Sequence, residues 1–152
     1  GAILWLTLFR DKIDDIMEQV KCPVAVFVNR QYREGTTVSF VLGGMIDLFL
    51  FFYLDKMLQN GHSVRLFLFD TDDEEFRGRI DDLQVRYPGQ TMIVWFAGVE
   101  DLVTEEKDGL LIMSHLSYTK LSEDEAVMRE LSSLLVIRRN KNTGDKNEGL
   151  EN

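Results

Sequence analysis

The sequence predicts an α/β fold in which a mostly parallel sheet carries helices on both faces. Short apolar runs alternate with longer segments of helical periodicity along the 152 residues. The runs are apolar on both strand faces, which is typical of parallel strands that helices cover on each side. An apolar share of 45% and a charged share of 28% are those of an ordinary globular domain.

The chain opens as strand, helix and strand. Ile3–Phe9 is a short run of large apolar residues, which favours a buried strand. Lys12–Val20 has apolar residues at helical spacing with acidic residues between them, and Pro23 follows its end. Val24–Val28 is rich in valine and is predicted to be the second strand.

The middle of the chain repeats this alternation. Thr37–Leu42 is a predicted strand, and Gly43 and Gly44 join it to a predicted helix over Met45–Gln59. Gly61 is expected to stop this helix, because glycine is common just beyond a helix C-terminus.

Three more strands and two more helices complete the alternation. Val64–Phe69 and Thr91–Ala97 are predicted strands on either side of an amphipathic helix over Asp72–Tyr87. The last two predicted strands are Leu110–Met113 and Leu134–Ile137.

The segment between those last two strands is expected to hold a linker and a helix. Ser114–Leu121 reads as the linker, and Ser122–Leu131 as a helix that opens with a capping box of Ser122 and Glu125. Residues 138–152 are polar and are expected to form a loose tail.

An internal repeat is visible in the predicted elements. Each copy is strand, linker, acidic helix and strand. Aligning Met17 with Met128 places Val20 on Leu131 and carries the alignment into the following strands. The chain is therefore expected to start inside one such unit and then to contain a second, complete one.

Charge and cysteine content exclude several classes of function. A net charge of −9 opposes the phosphates of nucleic acid and the surface of an anionic membrane, so neither is an expected partner. No apolar run approaches the length of about 20 residues that a spanning helix needs, so no direct membrane insertion is expected. The single cysteine, Cys22, is expected to be a small buried residue in a reducing compartment.

Four segments together resemble a known family. "CPVAVFVNR" (Cys22–Arg30) is similar to the closing strand of a universal stress protein unit, and "VSFVLGGMID" (Val38–Asp47) to the opening strand of another. "DGLLIMSH" and "SSLLVIRRN" are similar to the fourth and fifth strands of that second unit. The order resembles the tandem stress-protein-like region that follows the membrane domain of bacterial cation/proton antiporters. It implies a closing strand-helix-strand piece over residues 1–30, a complete second unit over 37–140 and a flexible tail over 141–152.

The resemblance does not extend to the family's nucleotide site. ATP-binding members carry an aspartate at the end of the first strand and a glycine-spaced phosphate loop after the fourth. Here the first strand of the second unit ends Val41–Gly44, and the segment after the fourth, Ser114–Lys120, has no glycine. No cofactor is therefore expected.

The remaining candidate sites are few. Gly43 and Gly44 stand where α/β sheets bind ligands, and with Asp70 they are the candidate ligand-binding residues. The acidic run from Asp70 to Glu75 could hold a divalent cation, but it more often caps a helix, and no metal site is expected. His115 beside two serines lacks the pattern of a catalytic triad, so no catalytic residues are expected.

The helix over Met45–Gln59 is unusual because it is apolar nearly all round. Phe51 is expected to project toward solvent between Asp47 and Asp55. Such a helix is either buried on more than one side or offers a protein surface. The candidate interface residues are Phe49, Phe51, Phe52 and Tyr53.

The resemblance implies a non-catalytic regulatory or assembly domain of a cation/proton antiporter. Its expected partners are the transmembrane domain of the same polypeptide and a second copy in a homodimer. The expected location is the cytoplasmic face of the inner membrane. The alternative is a free-standing stress-protein-like nucleotide-binding protein or hydrolase.

Overall fold

The chain is described here by a computed structural model over residues 4–8, 13–104 and 106–139, with the backbone alone for 4–8. The predicted tail beyond Arg139 and the outer ends of the first predicted strand lie outside the described residues. Within them the α/β class is confirmed, because a mostly parallel sheet carries helices on both faces.

Seven strands of the described residues form one sheet. They are β1 (Leu4–Leu8), β2 (Val24–Val28), β3 (Val38–Leu42), β4 (Val64–Phe69), β5 (Thr91–Phe96), β6 (Leu110–Ser114) and β7 (Ser133–Arg138). Their order across the sheet is β1-β2-β7-β6-β3-β4-β5. The last five strands of that order run parallel, β1 and β2 run parallel to each other, and the two groups meet antiparallel at β2 and β7.

The helices divide between the two faces of the sheet. They are α1 (Ile13–Gln19), α2 (Phe51–Gln59), α3 (Glu74–Arg86), α4 (His115–Leu121) and α5 (Glu125–Glu130). In the described part of the chain, 3₁₀ helices cover Met45–Leu50 and Val99–Leu102. One hydrophobic cluster joins α1, α4 and α5 to the sheet, and a second joins α2 and α3 to the opposite face. Burial of apolar surface on both sides is the main force that holds these layers together.

Arg30, just after β2, ties the antiparallel seam to α5. Its guanidinium donates to the carbonyl oxygens of Met128 and, at 3.2 Å, of Leu131, and its backbone N–H donates to the Ser133 hydroxyl at 2.8 Å. The last carbonyls of a helix lack intrahelical partners, so a cation at this end is favourable.

Arg138, at the end of β7, makes the corresponding contacts from the other strand of the seam to the end of α1. Its guanidinium donates to the carbonyl oxygens of Met17, of Val20 at 2.7 Å and of Cys22 at 2.8 Å, at and beyond the end of α1. Burial lowers the pKa of the Arg138 guanidinium from its usual value. Cys22 itself is exposed, so the expectation of a buried thiol is wrong.

The predicted repeat holds for the helices and is wrong by one residue in the strands. Met17 and Met128 both belong to the first cluster, as the alignment requires. That alignment also pairs Val26 with Ile137, but Val26 belongs to the first cluster and Ile137 to the second. Val136, which is paired with Val26 across the seam, shares its face. Because side chains alternate along a strand, a slip of one residue moves each side chain to the other face.

Two predicted helices are divided differently in the structure. The segment expected to be a linker before the last helix is helix α4, and Ser122 is the C-cap of α4. Asp124 instead caps α5 by accepting a hydrogen bond from the Val127 N–H. The helix predicted from Met45 begins as a 3₁₀ helix, whose tighter turn changes which side chains face the core. Gly61 follows the end of α2 with φ of 86°, as expected for a stop.

Candidate functional site

The candidate site lies beyond the carboxyl ends of the parallel strands. From β3 the chain moves to β4 on one side, whereas from β6 it moves to β7 on the other. The strand order therefore reverses between β3 and β6, and open α/β sheets bind ligands at such a point. The predicted ligand-binding residues Gly43 and Gly44 follow β3 at this position.

The turn after β3 has a conformation suited to glycine. Gly44 has φ of 135° and ψ of −160°, a region that residues with a side chain rarely adopt. The Asp47 N–H donates to the Gly44 carbonyl at 3.0 Å, which starts the 3₁₀ helix immediately after the turn. The turn therefore brings the Asp47 carboxylate back toward the end of β3.

Asp47 is the central polar residue of the site and is 1% exposed. Its Oδ2 accepts from the Gly43 N–H at 2.6 Å and from the Ser117 hydroxyl at 3.1 Å, so it connects the segments that follow β3 and β6. A side chain at Gly43 would begin 3.2 Å from this oxygen. Asp47 Oδ1 is buried and has no hydrogen-bond partner among the described residues. A buried polar atom in that state is unfavourable by about 1–3 kcal/mol, and more when charged.

The segment after β6 enters α4 without a loop. Ser114 is the N-cap, and its hydroxyl accepts from the Ser117 N–H at 3.1 Å. Ser117 thus takes part in the helix cap through its backbone and contacts Asp47 through its hydroxyl. This geometry fixes the carboxylate relative to the end of β6.

Asp47 lies in the wall of a mostly apolar crevice of about 170 Å³. Its apolar lining comes from the strand ends and the helices around them: Val41, Ile46, Phe69, Phe96, Val99, Leu116 and Leu121. Gly43, Ser117 and Lys120 complete the wall. Ile46, Phe69 and Leu116 are exposed at 57%, 44% and 42%, so apolar surface faces solvent around the opening.

Asp70, the third predicted ligand-binding residue, is not part of this wall. Its carboxylate accepts from Arg77 at 3.0 Å, and its backbone N–H donates to the Phe96 carbonyl at 3.0 Å. Nearby, Asp73 caps α3 by accepting from the N–H groups of Glu75 and Phe76. Among the described residues, no group of three or more acidic, histidine or cysteine side chains could hold a metal ion.

The predicted interface aromatics are distributed over three environments. Phe49 is 7% exposed and belongs to the core, and Tyr53 is half-buried, which raises the pKa of its hydroxyl. Phe51 packs against the second cluster, so the expectation that it projects to solvent is wrong. Phe52 is 58% exposed, and the Lys56 ammonium lies 4.9 Å from its ring centroid. The 3₁₀ start of the helix moves the exposed position by one residue.

His115 lies near the site but contacts a different element. Its Nε2 is 3.1 Å from Asp14 of α1, and its ring stacks on Tyr118. The neighbouring hydroxyls of Ser114 and Ser117 are used in the cap and in the contact to Asp47. The three side chains therefore do not form a nucleophile-base arrangement in this structure.

Sequence reasoning did not identify Asp47 and Ser117 as site residues. Asp47 follows a glycine pair, but its burial depends on the 3₁₀ turn, which the helical periodicity of the segment does not indicate. Ser117 becomes recognisable once Ser114–Leu121 is read as a capped helix. It then lies in the first turn of that helix, directly after a strand end, and lines the crevice.

No protein-family model, curated protein or solved structure matches the chain. Among the described residues, no helix has both the length and the apolar character that crossing a membrane requires.

Proposed function

We propose that the chain is a regulatory or assembly domain of a cation/proton antiporter, without catalytic activity of its own. It acts at the cytoplasmic face of the inner membrane, next to the transmembrane domain of the same polypeptide. A second copy completes the assembly as a homodimer.

The observation that supports this proposal is the antiparallel seam between β2 and β7. The family resemblance implies the closing piece of one unit followed by a complete second unit. The piece β1-α1-β2 and the five parallel strands that follow meet at the seam, and the connector between them spans residues 29–37. From β5 to β7 the five strands have the order third, second, first, fourth and fifth, which is a Rossmann-like order.

The architecture suits a rigid body that responds to or stabilises a transporter. Both faces of the sheet are covered, and arginines tie the seam to α1 and α5. A domain can regulate transport only if it binds two transporter states with different affinity, since equal affinity shifts no equilibrium. Exposed aromatic and apolar side chains surround Phe52 and the crevice. These two surfaces could bind the two transporter states with different affinity.

The crevice favours a second candidate function, that of a free-standing nucleotide-binding protein or hydrolase. It lies at the point of the sheet where α/β proteins bind nucleotides. Its lining differs from a phosphate site, because the chain passes from Ser114 directly into α4 and a carboxylate stands in the wall. Thermal unfolding with millimolar Mg-ATP, against a sulfate control, separates the two. Saturating ATP would stabilise a binding protein by about 2.7 kcal/mol at a hundredfold excess over the dissociation constant, whereas we expect no shift.

The coding sequence upstream of residue 1 tests the antiporter proposal directly. We expect it to continue in frame into several apolar segments of about 20 residues each, the length that spans a bilayer. A start codon immediately upstream, with no such segments, would contradict the proposal and favour the free-standing protein.

A further inference from the structure

We propose that the crevice binds a small organic cation, a molecule with an ammonium or similar donor group on an apolar body, and that Asp47 is its counter-ion. This inference concerns the chain's own crevice and does not depend on the antiporter proposal. Nothing in the preceding function requires a ligand of this class.

The carboxylate of Asp47 explains the charge of the proposed ligand. Asp47 is 1% exposed, yet its Oδ1 has no hydrogen-bond partner, and no ion pair joins it to another described residue. Its second oxygen is already fixed by Gly43 and Ser117, so the carboxylate is held in one orientation. A buried carboxylate with a free acceptor is stabilised by a charged donor more than by a neutral one.

The walls of the crevice explain the apolar body. Seven of the eleven described lining residues are aliphatic or aromatic, and the volume of about 170 Å³ is close to that of a cavity known to hold a benzene-sized molecule. Metal cations are disfavoured here because they take several oxygen ligands, whereas among the described residues of the wall only Asp47 and Ser117 have side chains that offer oxygen. A compact apolar group would occupy the crevice, and its donor would approach Asp47 Oδ1, which the surrounding side chains bury in this structure.

Lys120 is the cationic side chain among the described residues of the wall, and it does not neutralise Asp47. It is exposed, and it forms no ion pair with Asp47 in the structure. An exposed charge is screened by solvent and salt, whereas the buried carboxylate is screened much less. Of these two side chains, Asp47 is therefore the less screened.

Matched pairs of an amine and an alcohol test the proposal. The probes are benzylamine with benzyl alcohol, and isopentylamine with isopentyl alcohol, titrated into the ¹⁵N-labelled chain while amide shifts are recorded. We expect each amine to bind at least about tenfold more tightly than its alcohol, with shifts at Gly43, Asp47 and Ser117, because one charge-assisted hydrogen bond accounts for that ratio. Sodium chloride, potassium chloride and sodium phosphate at equal ionic strength are expected to leave these amides unchanged.

Two variants and one control complete the test. Asp47→Asn keeps the volume and removes the charge, so amine binding should fall to the level of the alcohol. Leu116→Ser removes apolar surface from the wall at an exposed position, so it should weaken the amine and its alcohol alike and leave the fold intact even if Asp47→Asn does not fold. Val85→Lys, on a residue that is 78% exposed outside the crevice, should change nothing. Equal binding of amine and alcohol, no saturable shift with either amine, or unaltered amine binding by Leu116→Ser would each overturn the proposal.

Discussion

Arg30 and Arg138 hold the two sides of the β2–β7 seam by reciprocal contacts. Arg30 reaches the carbonyls of Met128 and Leu131, and Arg138 reaches those of Met17 and Val20, the positions that the internal repeat aligns. An approximate two-fold axis perpendicular to the sheet accounts for this exchange, because the paired strands are antiparallel and α1 and α5 lie on the same face. The seam thus has the self-complementary form of a symmetric interface within one chain.

The first prediction concerns the stability of this seam. Arg30→Met and Arg138→Met keep most of the apolar stem and remove the donors, so each should lower the free energy of unfolding by about 2 kcal/mol, the usual range for hydrogen bonds to a charged group. Urea unfolding measures the change. Arg79→Met, which removes a half-exposed ion pair with Glu75 at 3.9 Å, is the control and should stay within about 0.5 kcal/mol. Values for the seam variants that match the control would show that the reciprocal contacts do not stabilise the fold.

The second prediction compares two glycines. Gly44→Ala should lower the free energy of unfolding by about 1–3 kcal/mol, because φ of 135° strains any residue with a side chain. Gly78→Ala should raise it by roughly 0.5–1 kcal/mol, because Gly78 is exposed within α3 and an added Cβ meets nothing within 4 Å. Thermal and urea unfolding of both variants measure the difference. Equal effects at the two positions would mean that the turn after β3 differs from the one described.

The third prediction concerns acid stability. The Thr37 hydroxyl, and then Arg65 at 2.8 Å, lower the pKa of Glu106 from its usual value of 4.5. A lowered folded-state pKa contributes stability above pH 4.5, and this contribution is lost as the pH falls through the lower folded value. Glu106→Gln should therefore be less stable than the wild type at pH 7 and approach it under acid conditions.

Melting temperatures measured from pH 7 down to pH 3 test this sign. The difference between the wild type and Glu106→Gln should shrink toward acid, and it should be modest because the Glu106 side chain is 44% exposed. Glu123→Gln, at another exposed glutamate, is the matched control and should give a small difference. A Glu106→Gln difference that is constant across this range would contradict the assignment.

The fourth prediction concerns the homodimer. Light scattering during gel filtration should report about twice the chain mass of 17.6 kDa, since closed two-fold pairing is the commonest assembly. Phe52→Ser removes a ring that is 58% exposed, so it should weaken the dimer without lowering monomer stability if α2 forms the interface. Val85→Ser, at a residue that is 78% exposed on α3, should leave the mass unchanged. A monomer at high micromolar concentration would exclude the dimer.

The strands were the most predictable part of the fold. The predicted bounds are correct for two strands, Val24–Val28 and Val64–Phe69. An apolar run that is ended by polar or turn residues defines where the strand begins and ends. Short polar helices were not predictable in this way. Helix α4 contains threonine, serine and histidine, and its start depends on the Ser114 cap, so the segment resembles a linker.

The position of the candidate site could be predicted from the sequence, but the residues that form it could not. The glycine pair marks the strand end, whereas Asp47 is expected to face solvent and is in fact buried. Its burial requires the 3₁₀ turn and the hydroxyl of Ser117, which is 70 residues away along the chain. Contacts between such distant residues depend on strand order, and local patterns do not determine strand order.

Ion flux through the proposed full-length antiporter is the sharpest test of a regulatory role for this domain. Proton-coupled cation exchange is measured in vesicles that carry equal, correctly inserted amounts of the complete protein and of a form truncated after its membrane domain. We expect that the truncated form still exchanges ions but with an altered dependence on pH or on cation concentration, because the proposed role of this domain is to bias transporter states. Among the described residues, no helix is long and apolar enough to cross a membrane. Identical profiles would contradict a regulatory role, and assembly would be the only proposed role that remains. Complete loss of flux would mean that the domain is part of the transport machinery, and the proposal would be wrong.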